Sequence, residues 1–113
     1  MTVMTGKKAL MEMLQAEGIQ YIFGNPGTSE GPILDALEDY PDIQYLLTSQ
    51  EGAAMGMADG YARIRNKPSV CMSQSVGSFN LASGLQDAFL SSSPVVAITG
   101  RRPQHEQMRN AYQ

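Results

Sequence analysis

Apolar positions along the chain alternate between two rhythms, helical spacing and short unbroken runs. Between Thr5 and Gly18, the residues Ala9, Leu10, Met13 and Leu14 fall at helical spacing, with Thr5 placed to cap and Gly18 to stop the helix. The run IQYIFG (19–24) reads as a strand and is followed by the turn-forming stretch GNPGTSEGP. Ile33, Leu34 and Leu37 predict an inward stripe on a helix over 33–39, which Pro41 ends. IQYLLT (43–48) is the next strand, and it runs directly into a glycine-rich helix over 50–64 that NKP breaks. SVCMS (69–73) gives a third strand and QSVGS a small-residue turn. FNLASGLQDAFLSS gives a helix with Leu81, Leu85, Ala88 and Phe89 on one face, and PVVAIT (94–99) a fourth strand. The tail from GRRPQ onward is polar and weakly patterned.

This alternation predicts an α/β fold: an open parallel sheet with helices on both faces, built from about four βα units with right-handed crossovers. No internal repeat, linker or low-complexity segment interrupts it. The chain reaches Gln113 without a closing strand or helix. It is therefore expected to be part of a larger domain, with an uncovered sheet edge and apolar helix faces, so that the isolated chain should self-associate or be loosely packed.

Composition narrows the classes. Of the 113 residues, 42% are apolar and 17% charged, the balance of a globular protein. A net charge of −3 and a pI near 4.9 leave no basic stripe for nucleic acid. No apolar run is long enough to span a bilayer, so no membrane partner is expected. A single cysteine, Cys71, lies in a strand pattern and reads as a buried thiol, which suits a cytoplasmic protein. Met11, Met13, Met55 and Met57 stand at positions a core would use.

Candidate chemistry converges on one sheet edge. In an open parallel sheet, ligands bind beyond the carboxyl ends of the strands. The loops there are GNPGTSEG, TSQEG, SQSVGS and GRRPQ, all rich in polar side chains and bare backbone. Glu51 opens a helix directly after an apolar strand, where the helix dipole stabilises a carboxylate and a flat ligand could reach it. Such a group can hydrogen-bond a ring nitrogen and exchange a proton with it. Gly52, Gly56 and Gly60 form a stripe, each costing roughly 1 kcal/mol against alanine, and imply close packing or ligand approach. Asp59 and Arg63 read as a solvated i,i+4 pair, and His105 as a surface histidine. No nucleotide-binding glycine motif, nucleophile motif or metal-ligand spacing is present, so no metal site is expected within this chain.

The blocks FGNPGTSEGPILDAL, QEGAAMGMADGYAR, GSFNLASGLQDAFLSSSPVVAITG and the closing AYQ, in this order, resemble the thiamine-diphosphate-dependent enzymes. The likeness is to their N-terminal, pyrimidine-binding domain in the acetolactate synthase and benzoylformate decarboxylase group. It covers essentially the whole chain, and E-G-x-x-x-G-x-A-D-G-Y-A-R is its most specific part.

The resemblance implies thiamine diphosphate as cofactor and a 2-oxo acid as substrate. It makes Glu51 the catalytic carboxylate that contacts N1′ of the aminopyrimidine, favouring the tautomer whose exocyclic nitrogen deprotonates the thiazolium. Asn25, Pro26, Gly27, Gly77 and Asn80 match cofactor-binding positions. Thr28, Ser73 and Gln74 match the substrate side, Thr28 at a hydroxyl position that meets the substrate carboxylate in the benzoylformate decarboxylases. Those decarboxylases carry a histidine where this chain has Ser73. The run SQSVGSFN is closer to the corresponding acetolactate synthase segment, whereas GNPGT departs from the G-Y-P-G-G usual there. Both decarboxylation and carboligation therefore stay open. The family's G-D-G…N-N motif for Mg2+ and diphosphate is absent, which implies a second domain or subunit facing Glu51, a homo-oligomer, and a fragment inactive alone. FAD occurs in some relatives but nothing here indicates it. The competing reading is a non-catalytic α/β binding module or a degenerate pyrimidine domain.

Overall fold

The computed structural model describes residues 3–107. In chain order these form α1 (Gly6–Ala16), β1 (Tyr21–Asn25), α2 (Gly31–Ala36), β2 (Gln44–Leu47), α3 (Glu51–Arg65), β3 (Ser69–Gln74), α4 (Ser78–Leu90), β4 (Val95–Gly100) and a short α5 (Gln104–Gln107). Single 3-10 turns at Thr28–Glu30 and Leu37–Asp39 flank α2. The expected continuous helix over 33–39 is thus divided. Pro32 suits the first turn of α2, and Tyr40, which precedes Pro41, leaves helical geometry at φ −129°.

All strands are parallel in the order β2-β1-β3-β4. Asn25 pairs in register with Ser73, and Gln74 with Gly100, so the strand ends align along one edge. Side-chain alternation sends Ile22, Val70 and Met72 to the α1/α2 face and Phe23 and Cys71 to the α3/α4 face. Both faces of β3 are buried, which explains its unbroken apolar run.

Local stops behave as the residues dictate. Thr5 Oγ1 accepts the Lys8 N–H, and Gly18 turns the chain at φ +72°. Asn66 closes α3 in the left-handed region at φ 50°. Pro94, which has no N–H, precedes β4 and offers its carbonyl to Ser69 N at 3.0 Å.

Several inward assignments change. Met13 is 61% exposed, and Met11 with Leu14 carries the core face of α1. Met55 is buried while Met57 is 44% exposed. Phe89 is 80% exposed, and Leu81 and Ala88 take the sheet-facing side of α4. In each helix the buried stripe is narrower than the apolar one, leaving hydrophobic side chains outside. Cys71 is fully buried, and burial pushes its thiol up to about 11.

The glycine-rich helix separates its two small stripes. Ala54, Ala58 and Ala62 are fully buried, the first two within the α3/α4 side of the core. Gly56 and Gly60 face open space, where an added methyl would meet nothing within 4 Å. Gly52 is different, because a methyl there would stand 2.8 Å from Gln50 Oε1 and 3.4 Å from Asn80 O.

Asp59 and Arg63 are more than a solvated pair. Asp59 is buried, and Arg63 holds it through Nε to Oδ1 at 3.0 Å and an Nη2–Oδ2 contact of 2.6 Å. Arg63 also reaches Ser93 Oγ at 3.1 Å and Asp87 Oδ2 at 2.7 Å, tying α3 to α4 and to the turn before β4. The i,i+4 spacing of Asp59 and Arg63 carries no sign of Asp87 and Ser93, which the fold brings to the same guanidinium. The AYQ segment at 111–113 lies outside the described residues.

Candidate active site

The strand order places a topological switch between β1 and β3: the chain leaves β1 toward β2 on one side, and β3 lies on the other. Crevices form at such points beyond the carboxyl ends of the strands. Here Asn25 ends β1 and Ser73 and Gln74 end β3. Thr48 fixes the entrance of α3 over this crevice, its N–H bonding Gly24 O at 2.8 Å and its hydroxyl reaching Gly24 O and Gln50 O at 3.2 and 3.1 Å. Gln50 Oε1 accepts the Ala53 N–H at 3.0 Å and caps the helix. Glu51 follows as its first residue.

Two carboxamides grip the Glu51 carboxylate. Asn80 Nδ2 donates to Oε2 at 2.9 Å and Asn25 Nδ2 to Oε1 at 3.0 Å. The Asn80 amide, then the residue's own backbone N–H, and less strongly Asn25, hold its carboxyl below the ordinary glutamate range, against partial burial that raises it. Charged Glu51 is thus an acceptor with its remaining lone pairs facing a pocket.

That pocket is lined by Asn25, Pro26, Glu51, Gln74, Val76, Gly77 and Asn80. Gly77 keeps it open, since a methyl there would stand 2.7 Å from Glu51 Oε1. Of the sequence-derived positions, Asn25, Pro26, Glu51, Gln74, Gly77 and Asn80 come together here. Gly27 lies behind, its backbone covered by the Gln74 side chain so closely that a methyl would collide with the amide. Ser73 is fully buried and donates to Gln74 O at 3.1 Å. Thr28 lines a neighbouring hollow with Ser29, Pro32, Arg101, Arg102, Pro103 and Glu106.

Two residues escaped the sequence reading. Val76 is exposed at the pocket rim. Glu30 is fully buried behind the 25–29 loop and accepts the Gly27 N–H at 2.7 Å. Its position three residues after Gly27 is the spacing by which a glutamate reaches back to an N-cap amide, a signal present in the sequence. Among the described residues, no group of three or more His, Cys, Asp or Glu could hold a metal ion, and no helix is long and apolar enough to cross a membrane.

Residues 4–113 match the family described as "Thiamine pyrophosphate enzyme, N-terminal TPP binding domain". The chain is 44% identical over 99 residues to the acetolactate synthase isozyme 2 large subunit of Escherichia coli K12, covering 87% of this chain and 18% of that protein. It is 42% identical over 113 residues to an acetolactate synthase of Arthrospira platensis, covering 96% and 20%. A solved thiamine diphosphate-dependent 4-hydroxybenzoylformate decarboxylase of Rhodococcus jostii RHA1 superposes with a TM-score of 0.89 at 31% identity, covering 96% of this chain and 20% of that one. The chain thus spans about a fifth of the length of these relatives. Both the matched sequence and the superposed fold run through the crevice that holds Glu51, and the chain belongs to the family of N-terminal TPP-binding domains of thiamine pyrophosphate enzymes.

Proposed function

We propose that this chain supplies the aminopyrimidine side of a thiamine-diphosphate-dependent active site acting on 2-oxo acids, by decarboxylation, carboligation or both. The observation that carries it is Glu51: a charged carboxylate gripped by Asn25 and Asn80 in a glycine-walled crevice at the β1/β3 switch point. A flat ring with one basic nitrogen fits such a niche, because Gly77 leaves room beside the carboxylate and the carboxamides fix its oxygens.

When bound, the cofactor would supply the electron sink that lets carbon dioxide leave a 2-oxo acid. The chain's own part is to hold and move one proton at Glu51. Its lowered proton affinity keeps it ionised as the acceptor for a ring N–H, and the Asn80 amide orients Oε2 for that exchange. Asn25 and Pro26 form one wall, and Gln74 and Val76 stand at the rim. Thr28, on the far side of the same loop, is the residue we assign to the substrate carboxylate. The buried Ser73 stands where the benzoylformate decarboxylases have an imidazole, which favours chemistry of the acetolactate synthase kind.

The reading includes a partner. Diphosphate and Mg2+ would be held by another domain of the same protein, contributed by a second subunit of a cytoplasmic homo-oligomer. Support comes from the short share of each relative that this chain covers and from the exposed apolar side chains Ile64, Phe79 and Phe89 on α3 and α4.

The test is turnover of a panel of small 2-oxo acids by the full-length protein with thiamine diphosphate and Mg2+, wild type against Glu51→Gln. Turnover that collapses in the variant is the expected result and identifies the substrate. Equal turnover in both removes Glu51 from the mechanism. Neither turnover nor cofactor binding in either protein would identify a non-catalytic binding module.

A further inference from the structure

Glu30 is a fully buried acidic side chain beside the site that the site chemistry leaves unused. A carboxylate out of contact with water is costly unless donors satisfy it. Here Oε2 accepts the Gly27 N–H at 2.7 Å and Oε1 accepts the Ser29 hydroxyl at 2.5 Å. Space for it comes from the far end of the sheet. Gly100, the last residue of β4, has no side chain where a methyl would collide with Glu30 Oε1 and stand 2.7 Å from Ser29 Oγ. Residues 30 and 100 are therefore fitted to each other across the strand ends.

The segment this carboxylate grips is the one between Asn25 and Ser29. Its residues include Pro26 and Gly27, which bring few side-chain contacts of their own, yet Asn25 must present its amide to Glu51 and Thr28 lines the adjacent hollow. A charged acceptor bonded to a backbone N–H is shorter and roughly twice as strong as a neutral one. The Gly27 N–H can only donate, so the side chain at position 30 must offer it an acceptor, and a carboxylate is the strongest one available.

We infer that Glu30 is a positioning residue, a buried carboxylate that sets the conformation of the 25–29 loop and through Asn25 the orientation of Glu51. The inference rests on the reading of Glu51 given above. A glutamine at this place keeps the volume but replaces the charged acceptor with a neutral one, weakening the hold on the Gly27 N–H. An alanine at position 100 leaves the carboxylate chemically intact but drives it off its seat.

The experiment uses the full-length protein in two measurements. In the first, amide hydrogen exchange on the cofactor-free protein compares wild type with Glu30→Gln and Gly100→Ala. Exchange at Gly27 should quicken by about tenfold or more in both variants while Ile22 and Val70 in the strands keep their protection. In the second, kinetic constants are expressed per cofactor-loaded site. Both variants should lower kcat by about tenfold with a smaller change in KM, as expected when a reacting carboxylate is misaligned. Adding Gly100→Ala to Glu30→Ala should then cost less than about threefold more, since the space has been vacated. Unchanged kcat per loaded site, with only a lower melting temperature, would make Glu30 structural and overturn the inference. So would a Gly100→Ala effect of equal size in both backgrounds. Failure of the underlying reading shows separately, as a Glu51→Gln protein that turns over normally.

Discussion

Gly77 and Glu51 share a wall of the crevice so tightly that one added methyl at Gly77 would stand 2.7 Å from Glu51 Oε1 and 2.8 Å from its Cγ. The same methyl would collide with the Oγ of the buried Ser73, so Gly77→Ala should displace Glu51 and strain the end of β3 together. Overpacking of this kind costs about 1–3 kcal/mol of stability. Activity of the full-length protein should fall by about tenfold or more. Val76→Ala, next door but exposed at the rim, is the matched control and should leave the melting temperature within about a degree.

The two amides on Glu51 are unequal. Asn80 does more than Asn25 to hold the carboxyl below its ordinary value of 4.5. A carboxyl whose folded pKa is lowered stabilises the fold above its unfolded pKa and loses that contribution as pH falls through the folded value. Asn80→Ala should thus lower the melting temperature at pH 7 relative to wild type, and the gap should close as pH falls through the folded Glu51 value. NMR titration of Glu51 should show a larger upward shift in Asn80→Ala than in Asn25→Ala.

Much of this was legible in the sequence because it depends on near neighbours. The parallel order follows from strands and helices that alternate with short connections, and Glu51 was visible as a carboxylate at a strand-to-helix junction. Glu30 was harder, since its burial depends on Gly100, far along the chain, having no side chain. Arg63 was misjudged for the same reason, as its partners Asp87 and Ser93 belong to α4 and the following turn. Phe89 and Met13 show a different limit. An apolar residue at helical spacing need not face the core when the covering layer is narrow, and a surface that another subunit would cover reads like a core.

Arg63 joins three acceptors, and one of them, Asp59, is buried. Arg63→Met should leave that carboxylate without its cation and lower the melting temperature by several degrees at neutral pH. Asp87→Asn, which removes only the exposed partner, should cost much less. Arg63 is the first cause of the lowered Asp59 pKa, so the Arg63→Met penalty should be full at pH 7 and shrink as pH drops through the folded Asp59 value. Thermal melts at pH 7 and at acid pH check both statements.

Gly84 sits in α4 where a methyl would meet Met55 Cγ at 2.5 Å and Cβ at 3.1 Å. Cβ is fixed by the backbone of α3, and Cγ can move only by a change of rotamer in a fully buried side chain. Gly84→Ala should therefore destabilise by about 1–3 kcal/mol in spite of its gain in helix propensity. Chemical denaturation of the variant against wild type measures it. An increase in stability would mean that the α3–α4 contact relaxes more easily than its geometry indicates.

Gly56 presents the opposite case. It is exposed, nothing lies within 4 Å of an added methyl, and it shares an outward stripe with Gly60 and the 86% exposed Ile64. Within one chain, Gly56→Ala should stabilise α3 by up to about 1 kcal/mol, because only helix propensity changes. In the full-length protein a second subunit seated on this stripe would meet the methyl where it had met bare backbone. The same substitution should then weaken assembly while raising the stability of the separated protomer. Sedimentation over a dilution series, beside thermal melting, separates the two effects. A variant that melts higher and associates as tightly as wild type would put the subunit contact on another face of the fold.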